Sequence, residues 1–130
     1  MRFGMEVLKA VRVEVGRDFA VGLRITGDEF HADGLNHENM KEIAAYYNKT
    51  GLLDFFSVIG SGCDTHNTLA NVIPNMSYPP EPFLHLAAGI KEVVDVPVMH
   101  AQNIKDPNQA QRILEAGYVD FVGMTLAHIA

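Results

Sequence analysis

A parallel α/β architecture is predicted for this chain by three features of its sequence. Four short apolar runs, beginning near positions 19, 53, 96 and 119, alternate with helix-patterned segments, an order that builds a parallel sheet with right-handed crossovers. Residues 96–123 carry strand, loop, helix and strand in immediate succession. Two strands joined by a helix of that length must be parallel, and parallel sheets gather their ligands at the strands' carboxyl ends. Finally, Gly16, Gly51 and Gly117 each fall just past a helical pattern, where a left-handed residue closes a helix.

Taken in order, Phe3, Val7, Val11 and Val15 recur at helical intervals with Glu6, Lys9, Arg12 and Glu14 between them. A helix over residues 2–15 is therefore expected to lay that apolar stripe on a sheet. Residues 19–25 follow as the first strand, and Arg24 is a permanent charge near the end of an otherwise apolar run. Two readings stand open for it: a salt bridge at the sheet's rim, to Asp28 or Glu29, or a ligand for an anion or carbonyl at the end of a parallel strand. The loop over residues 26–35 holds Asp28, Glu29, His31 and Asp33 without any known metal-ligand spacing, so a solvated loop is expected. Asn36 caps a helix running to about position 50, with Met40, Ile43, Ala44 and Tyr47 on one face.

Residues 53–59 form the second strand, which Gly60, Ser61 and Gly62 break. That glycine pair lacks the spacing of a dinucleotide fingerprint and the lysine of a phosphate-binding loop. Cys63 and His66 lie close in sequence, and an inert thiol is the expectation. Residues 63–81 show no clear periodicity and include Pro74, Pro79 and Pro80, so they are expected to form a long binding loop, lid or oligomer contact. Pro82 opens the third helix, burying Phe83, Leu86, Ala87, Ile90 and Val93 or Val94, and residues 96–100 form the third strand. Asp106 as cap, Pro107 at the first helical position and Gln109 then begin the last helix, whose apolar face is Ala110, Ile113 and Leu114. Residues 118–123 make the fourth strand, which sets 100–104 beside 123–126 at the carboxyl rim. Four parallel strands leave two unprotected edges.

The length of 130 residues fits a single domain but is short for a closed barrel of eight strand and helix pairs. A formal charge of −6 with no Lys or Arg cluster argues against nucleic-acid partners. No apolar run approaches the roughly 20 residues of a membrane span. With no apolar signal core and a single cysteine, a cytoplasmic location is expected.

The blocks MRFGMEVLKAVR, VGLRITGDEF, GLLDFFSVIGS, PFLHLAAGIKE and VPVMHAQNIKDPNQAQRILEAGYVDFVGMTLAHIA resemble consecutive segments of the FMN-dependent old yellow enzyme family. The resemblance is to its NADH:flavin oxidoreductase branch, of the trimethylamine dehydrogenase, dienoyl-CoA reductase and N-methylproline demethylase types. It covers almost the whole chain, and its weight lies in five blocks in register. It implies the second half of a (β/α)8 TIM barrel, from the fourth helix through the eighth strand, as a single partial domain over residues 1–130.

The resemblance also implies a site. Arg24 stands where the family's arginine lies against the flavin pyrimidine ring, and a cation there stabilises the negative charge that reduction develops at N1 and the C2 carbonyl. The FMN phosphate is expected at Ala101, Gln102 and Asn103 and at Gly123, Met124, Thr125 and Leu126. Asn103 and Leu126 replace arginines common in relatives, removing charge-assisted hydrogen bonds worth on the order of 1.5–3 kcal/mol each. Weak or absent FMN binding is expected in consequence. His100 either faces the flavin or is a hydrogen-bonded core histidine. The family's first four strands, with their substrate-binding residues, have no counterpart here, and one cysteine cannot ligate an iron–sulphur cluster. A truncated reading frame or an excised fragment is the economical explanation.

Two functional expectations follow from this. One is a segment of an FMN-dependent oxidoreductase whose parent transfers hydride through the flavin, using NAD(P)H and a small-molecule substrate. The other is a noncatalytic half-barrel that pairs with the missing half or with another copy as a homo-oligomer. No catalytic residue and no metal ligand is assigned.

Overall fold

The computed structural model describes residues 1–62 and 66–124, with the side chains of residues 66 and 67 outside that description. Its elements are α1 (Arg2–Val15), β1 (Gly22–Thr26), α2 (His37–Asn48), β2 (Phe55–Ile59), α3 (His66–Val72), α4 (Leu84–Lys91), β3 (Val98–His100), α5 (Pro107–Glu115) and β4 (Phe121–Val122). The four strands form one sheet in the order β1-β2-β3-β4, and every pairing is parallel.

Local chemistry sets the helix ends. Asn36 and Asn39 form a reciprocal capping box at the start of α2, and the Asp106 side chain accepts from the Gln109 N–H at the start of α5, with Pro107 in the first turn. Gly16, Gly51 and Gly117 have φ of 74°, 63° and 73°, the left-handed conformation that ends a helix at little cost only for glycine. The strands are shorter than the apolar runs that predict them, beginning at Gly22, Phe55, Val98 and Phe121, and two helical segments also differ from expectation. Residues 66–72, in a stretch expected to lack regular structure, form α3, a helix too short to show a periodic stripe. The helix expected from Pro82 starts at Leu84, after a turn containing Glu81 at φ 56°.

Register fixes which side chains share a face. Leu23, Phe56 and Val98 lie across from one another, as do Ile25, Val58 and His100, and these point into the helix layer. There they meet the buried core formed by Leu8, Met40, Ala44, Leu86, Ala87, Ile90 and Ile113. The alternating positions, Gly22, Arg24, Ser57, Met99 and Phe121, share the opposite face. That face is open. Gly22 and Arg24 are exposed, and so is half of Phe121.

The first helix is turned relative to the expectation. Phe3, Val7, Val11 and Val15 are exposed, Phe3 at 80%, while Met5, Leu8 and Arg12 are buried. Arg12 is the physical reason. Its guanidinium donates to the carbonyls of Gly16, Phe19 and Leu52 and to the Asp54 carboxylate at 2.7 Å. One planar fork thus satisfies backbone acceptors at the amino ends of both β1 and β2, a pattern a lysine cannot reproduce. Asp54 also accepts from the Val21 N–H. The Arg12 hydrogen bond first, and that N–H second, hold its carboxyl below the usual range. The apolar stripe is therefore left facing away from this sheet.

Arg12→Lys is expected to cost about 3 kcal/mol, because several buried acceptors lose their donors together. Urea unfolding monitored by circular dichroism checks this; a midpoint equal to that of the parent chain contradicts the role given to the guanidinium.

Candidate functional site

The carboxyl ends of β1, β2 and β3 open on a cavity of about 340 Å³, within the size range of small-molecule sites. Arg24 and Ile59 rise into it from the strands, residues 72–74 close it from the end of α3, and residues 101–105 line it from the loop after β3. Arg24, Ala101, Gln102 and Asn103, singled out from the sequence, are brought together here. Thr125 and Leu126 lie outside the described residues, as does Cys63.

Arg24 has no hydrogen bond or ion pair among the described residues, which removes the rim salt bridge considered above. The acids named for it are engaged elsewhere. Asp28 accepts from the N–H groups of Phe30 and His37, and Glu29 accepts from the Leu35 N–H. Both carboxylates thus shape their own loop. Among the described residues no group of three His, Cys, Asp or Glu side chains is placed to hold a metal ion.

Gln102 is buried and spends its side chain on the protein. Its Oε1 accepts from the Gly60 N–H, while its Nε2 donates to the carbonyls of Asn71 and Val72, both at 2.9 Å. One amide thereby joins the end of β2, the carboxyl end of α3 and the loop after β3. It fixes the wall formed by residues 72–74 and satisfies acceptors that a helix end would otherwise leave open. Gly60 is needed beside it because a Cβ there would lie 2.7 Å from the Phe83 ring. Asn103 adopts φ 56°, which asparagine tolerates better than most side chains, and its Nδ2 donates to the Pro79 carbonyl. Neither amide N–H group of Gln102 is left to bind a ligand, and the Asn103 amide is turned to Pro79.

His100 is placed on the other face. The ring is 1% exposed, packed in the helix layer opposite the side on which Arg24 lies. Its Nδ1 is 3.3 Å from the Val58 carbonyl, so the N–H sits on Nδ1, and Nε2 is buried with no partner among the described residues. Burial pushes its pKa down to about 4, with the nearby His85 adding to the effect. Of the two readings left open for it, this geometry is that of a neutral core histidine. Gly123 is packed on the loop after β3: its N–H donates to the His100 carbonyl, and a Cβ at this position would lie 2.7 Å from the Ala101 Cβ. Met124 packs against the core.

Lys105, Ile59 and the end of α3 were missed. The charge of Lys105 is plain in the sequence, but the direction of a loop side chain is not; α3 gave no periodic signal. A second, larger cavity of about 570 Å³ lies in the helix layer between α2 and α4, lined among others by His37, Lys41, Glu81, His85 and Glu92. Its charges are already engaged, Lys41 near Glu38 and Glu92 and Glu81 with Arg112. The first cavity is the better candidate because it lies at the strand ends and keeps a cation unpaired among the described residues.

Comparison with known proteins places this geometry in context. The profile of the NADH:flavin oxidoreductase / NADH oxidase family matches residues 1–130. An N,N-dimethylglycine/sarcosine dehydrogenase of Chromohalobacter salexigens is 82% identical over the whole chain, and a multifunctional alkene reductase/demethylase of Caballeronia cordobensis is 42% identical. The chain spans 19% of the length of each, about a fifth. Among solved structures, a 2-naphthoyl-CoA reductase superposes on 95% of the chain with a TM-score of 0.83 at 26% identity, using 18% of its own length. Morphinone reductase superposes with a TM-score of 0.57 at 20% identity, a likeness of fold, with 95% of this chain covering 29% of the reductase.

The protonation of His100 has a sign that can be measured. Its pKa is about 4 when folded against an ordinary 6.5, so between these values the unfolded chain binds more protons. Stability should therefore fall as the pH drops from 6.5 to 4, by on the order of 3 kcal/mol. Unfolding free energies measured across that window should show the slope in the parent chain and a flatter line in His100→Leu; equal slopes contradict the assignment. Loss of the Asp54 and Asp120 interactions adds to the decline only below about pH 3.8, since both carboxyls are held lower than that value.

Proposed function

The chain belongs to the NADH:flavin oxidoreductase / NADH oxidase family and folds as half of a (β/α)8 barrel, and from that premise we propose that it is the flavin-binding half of an FMN-dependent oxidoreductase. The observation that carries this reading is the unpaired Arg24 guanidinium in the cavity at the strand ends. A permanent cation with no side-chain partner among the described residues, beside a 340 Å³ space, fits a ligand that brings its own negative charge or carbonyls. FMN is such a ligand, and the residues present fit it in part: a cation for the ring carbonyls and a loop for the phosphate, with Asn103 where relatives carry an arginine.

When bound, FMN supplies hydride acceptance and donation. With FMN bound there, Arg24 would supply the positive charge that offsets the negative charge reduction places on the ring carbonyls, and so would favour the reduced state. Gln102 acts at one remove, fixing the α3 end and the 101–105 loop as rigid walls. The parent enzyme draws on NAD(P)H or an amine as hydride source. The 82% identity with a dehydrogenase of N,N-dimethylglycine and sarcosine favours a small N-methylated amino acid as the substrate class. Substrate-positioning groups belong to the remainder of such a parent.

A second reading, a noncatalytic half-barrel that associates with another copy, is supported by the open face bearing Phe121 and the exposed stripe of α1. The chain by itself is expected to bind FMN weakly and to self-associate. Flavin fluorescence titration should give a saturable signal that Arg24→Met weakens about tenfold, in line with loss of a charge-assisted hydrogen bond. Light scattering should show species larger than one chain. A titration unchanged by Arg24→Met contradicts the flavin reading; a monodisperse monomer contradicts self-association; stoichiometric FMN binding with NADH oxidation contradicts the noncatalytic reading.

A further inference from the structure

Among the described residues, the cavity at the strand ends is walled by two cations, Arg24 and Lys105, and by no carboxylate. This is a departure from the chain as a whole, which has 16 acidic against 10 basic residues. Neither cation is engaged: among the described residues the Lys105 ammonium, like the Arg24 guanidinium, has no hydrogen bond or ion pair. The hydrogen bond that Lys105 does make is through its backbone N–H, to the Gln109 Oε1 at 2.8 Å, and it fixes where the side chain leaves the loop. The amides that share the wall are spent, Gln102 on Gly60, Asn71 and Val72 and the Asn103 Nδ2 on Pro79. Among the described residues, the charged side-chain donors left for an anion are therefore the two cations, one on the strand floor and one on the loop after β3.

Resting on the flavin reading of the same cavity, we propose that Lys105 is its phosphate-binding residue and sets the preference for FMN over the unphosphorylated riboflavin. Position 103 carries no charge for that part, and its amide donates to the Pro79 carbonyl. Lys105, two residues on, puts a positive charge back on the same loop. An ammonium is a mobile point charge rather than a fixed fork, so it suits a phosphate monoester without needing planar alignment. Arg24 then serves the ring and Lys105 the phosphate, in a cavity whose apolar lining includes Ile59, Val72 and Ile73.

The test compares FMN and riboflavin on the 130-residue chain, as the parent sequence and as Lys105→Gln and Lys105→Arg, by fluorescence titration at low and high salt. Lys105 is exposed on its loop, and circular dichroism confirms that each variant is folded. Lys105→Gln should weaken FMN about tenfold while changing riboflavin less than about twofold. Lys105→Arg should retain the discrimination, and salt should erode it. Equal losses for both flavins, or no loss for FMN, overturn the assignment of Lys105 and leave the flavin reading standing. Absence of saturable binding of either flavin to the parent chain overturns both.

Discussion

Period-two alternation along four parallel strands is the constraint on which the rest of this structure rests. Once Arg24 pairs in register with Ser57, and Val58 with His100, every side chain on the sheet is committed to one of two faces. One face receives the helices and is dry, and its polar member, His100, is held neutral there. The other face carries Arg24 and Phe121 and has no layer against it among the described residues. A parallel sheet is stable when both faces are covered, so the uncovered one is where a ligand or further protein surface belongs.

The same imbalance is visible in α1. Amphipathic patterning identified the helix correctly but not its orientation, because its pattern contains two apolar sets. Met5 and Leu8 are buried in the core, whereas Phe3, Val7 and Val11 are exposed. The choice between them is made by Arg12, whose guanidinium draws the helix onto the amino ends of β1 and β2 through several hydrogen bonds at once. A buried arginine with that many acceptors outweighs a stripe of valines, since each unmet carbonyl costs about 1–3 kcal/mol.

Much of the fold was legible in the sequence because its signals are local: the Asn36 and Asp106 caps, the three left-handed glycines, and four apolar runs bounded by turns. The faces of the strands were less so. Arg24 could be assigned to a strand end but not to a partner, and only the loop geometry shows that Asp28 and Glu29 are taken by backbone N–H groups. His100 was ambiguous for the same reason, since one residue of register separates a site histidine from a core histidine. Lys105, the 72–74 wall and the bracing role of Gln102 depend on contacts across about 30 residues of sequence, which periodicity does not encode. Family resemblance supplied the arrangement that local pattern could not.

The most direct measurement of the central claim is mapping of backbone amide chemical shifts on addition of FMN to the isotope-labelled chain. Perturbations concentrated at Arg24, Ile59, Ile73 and residues 101–105 are the result this account predicts. Perturbations centred instead on His37, His85 and Gly89, in the groove between α2 and α4, would contradict it.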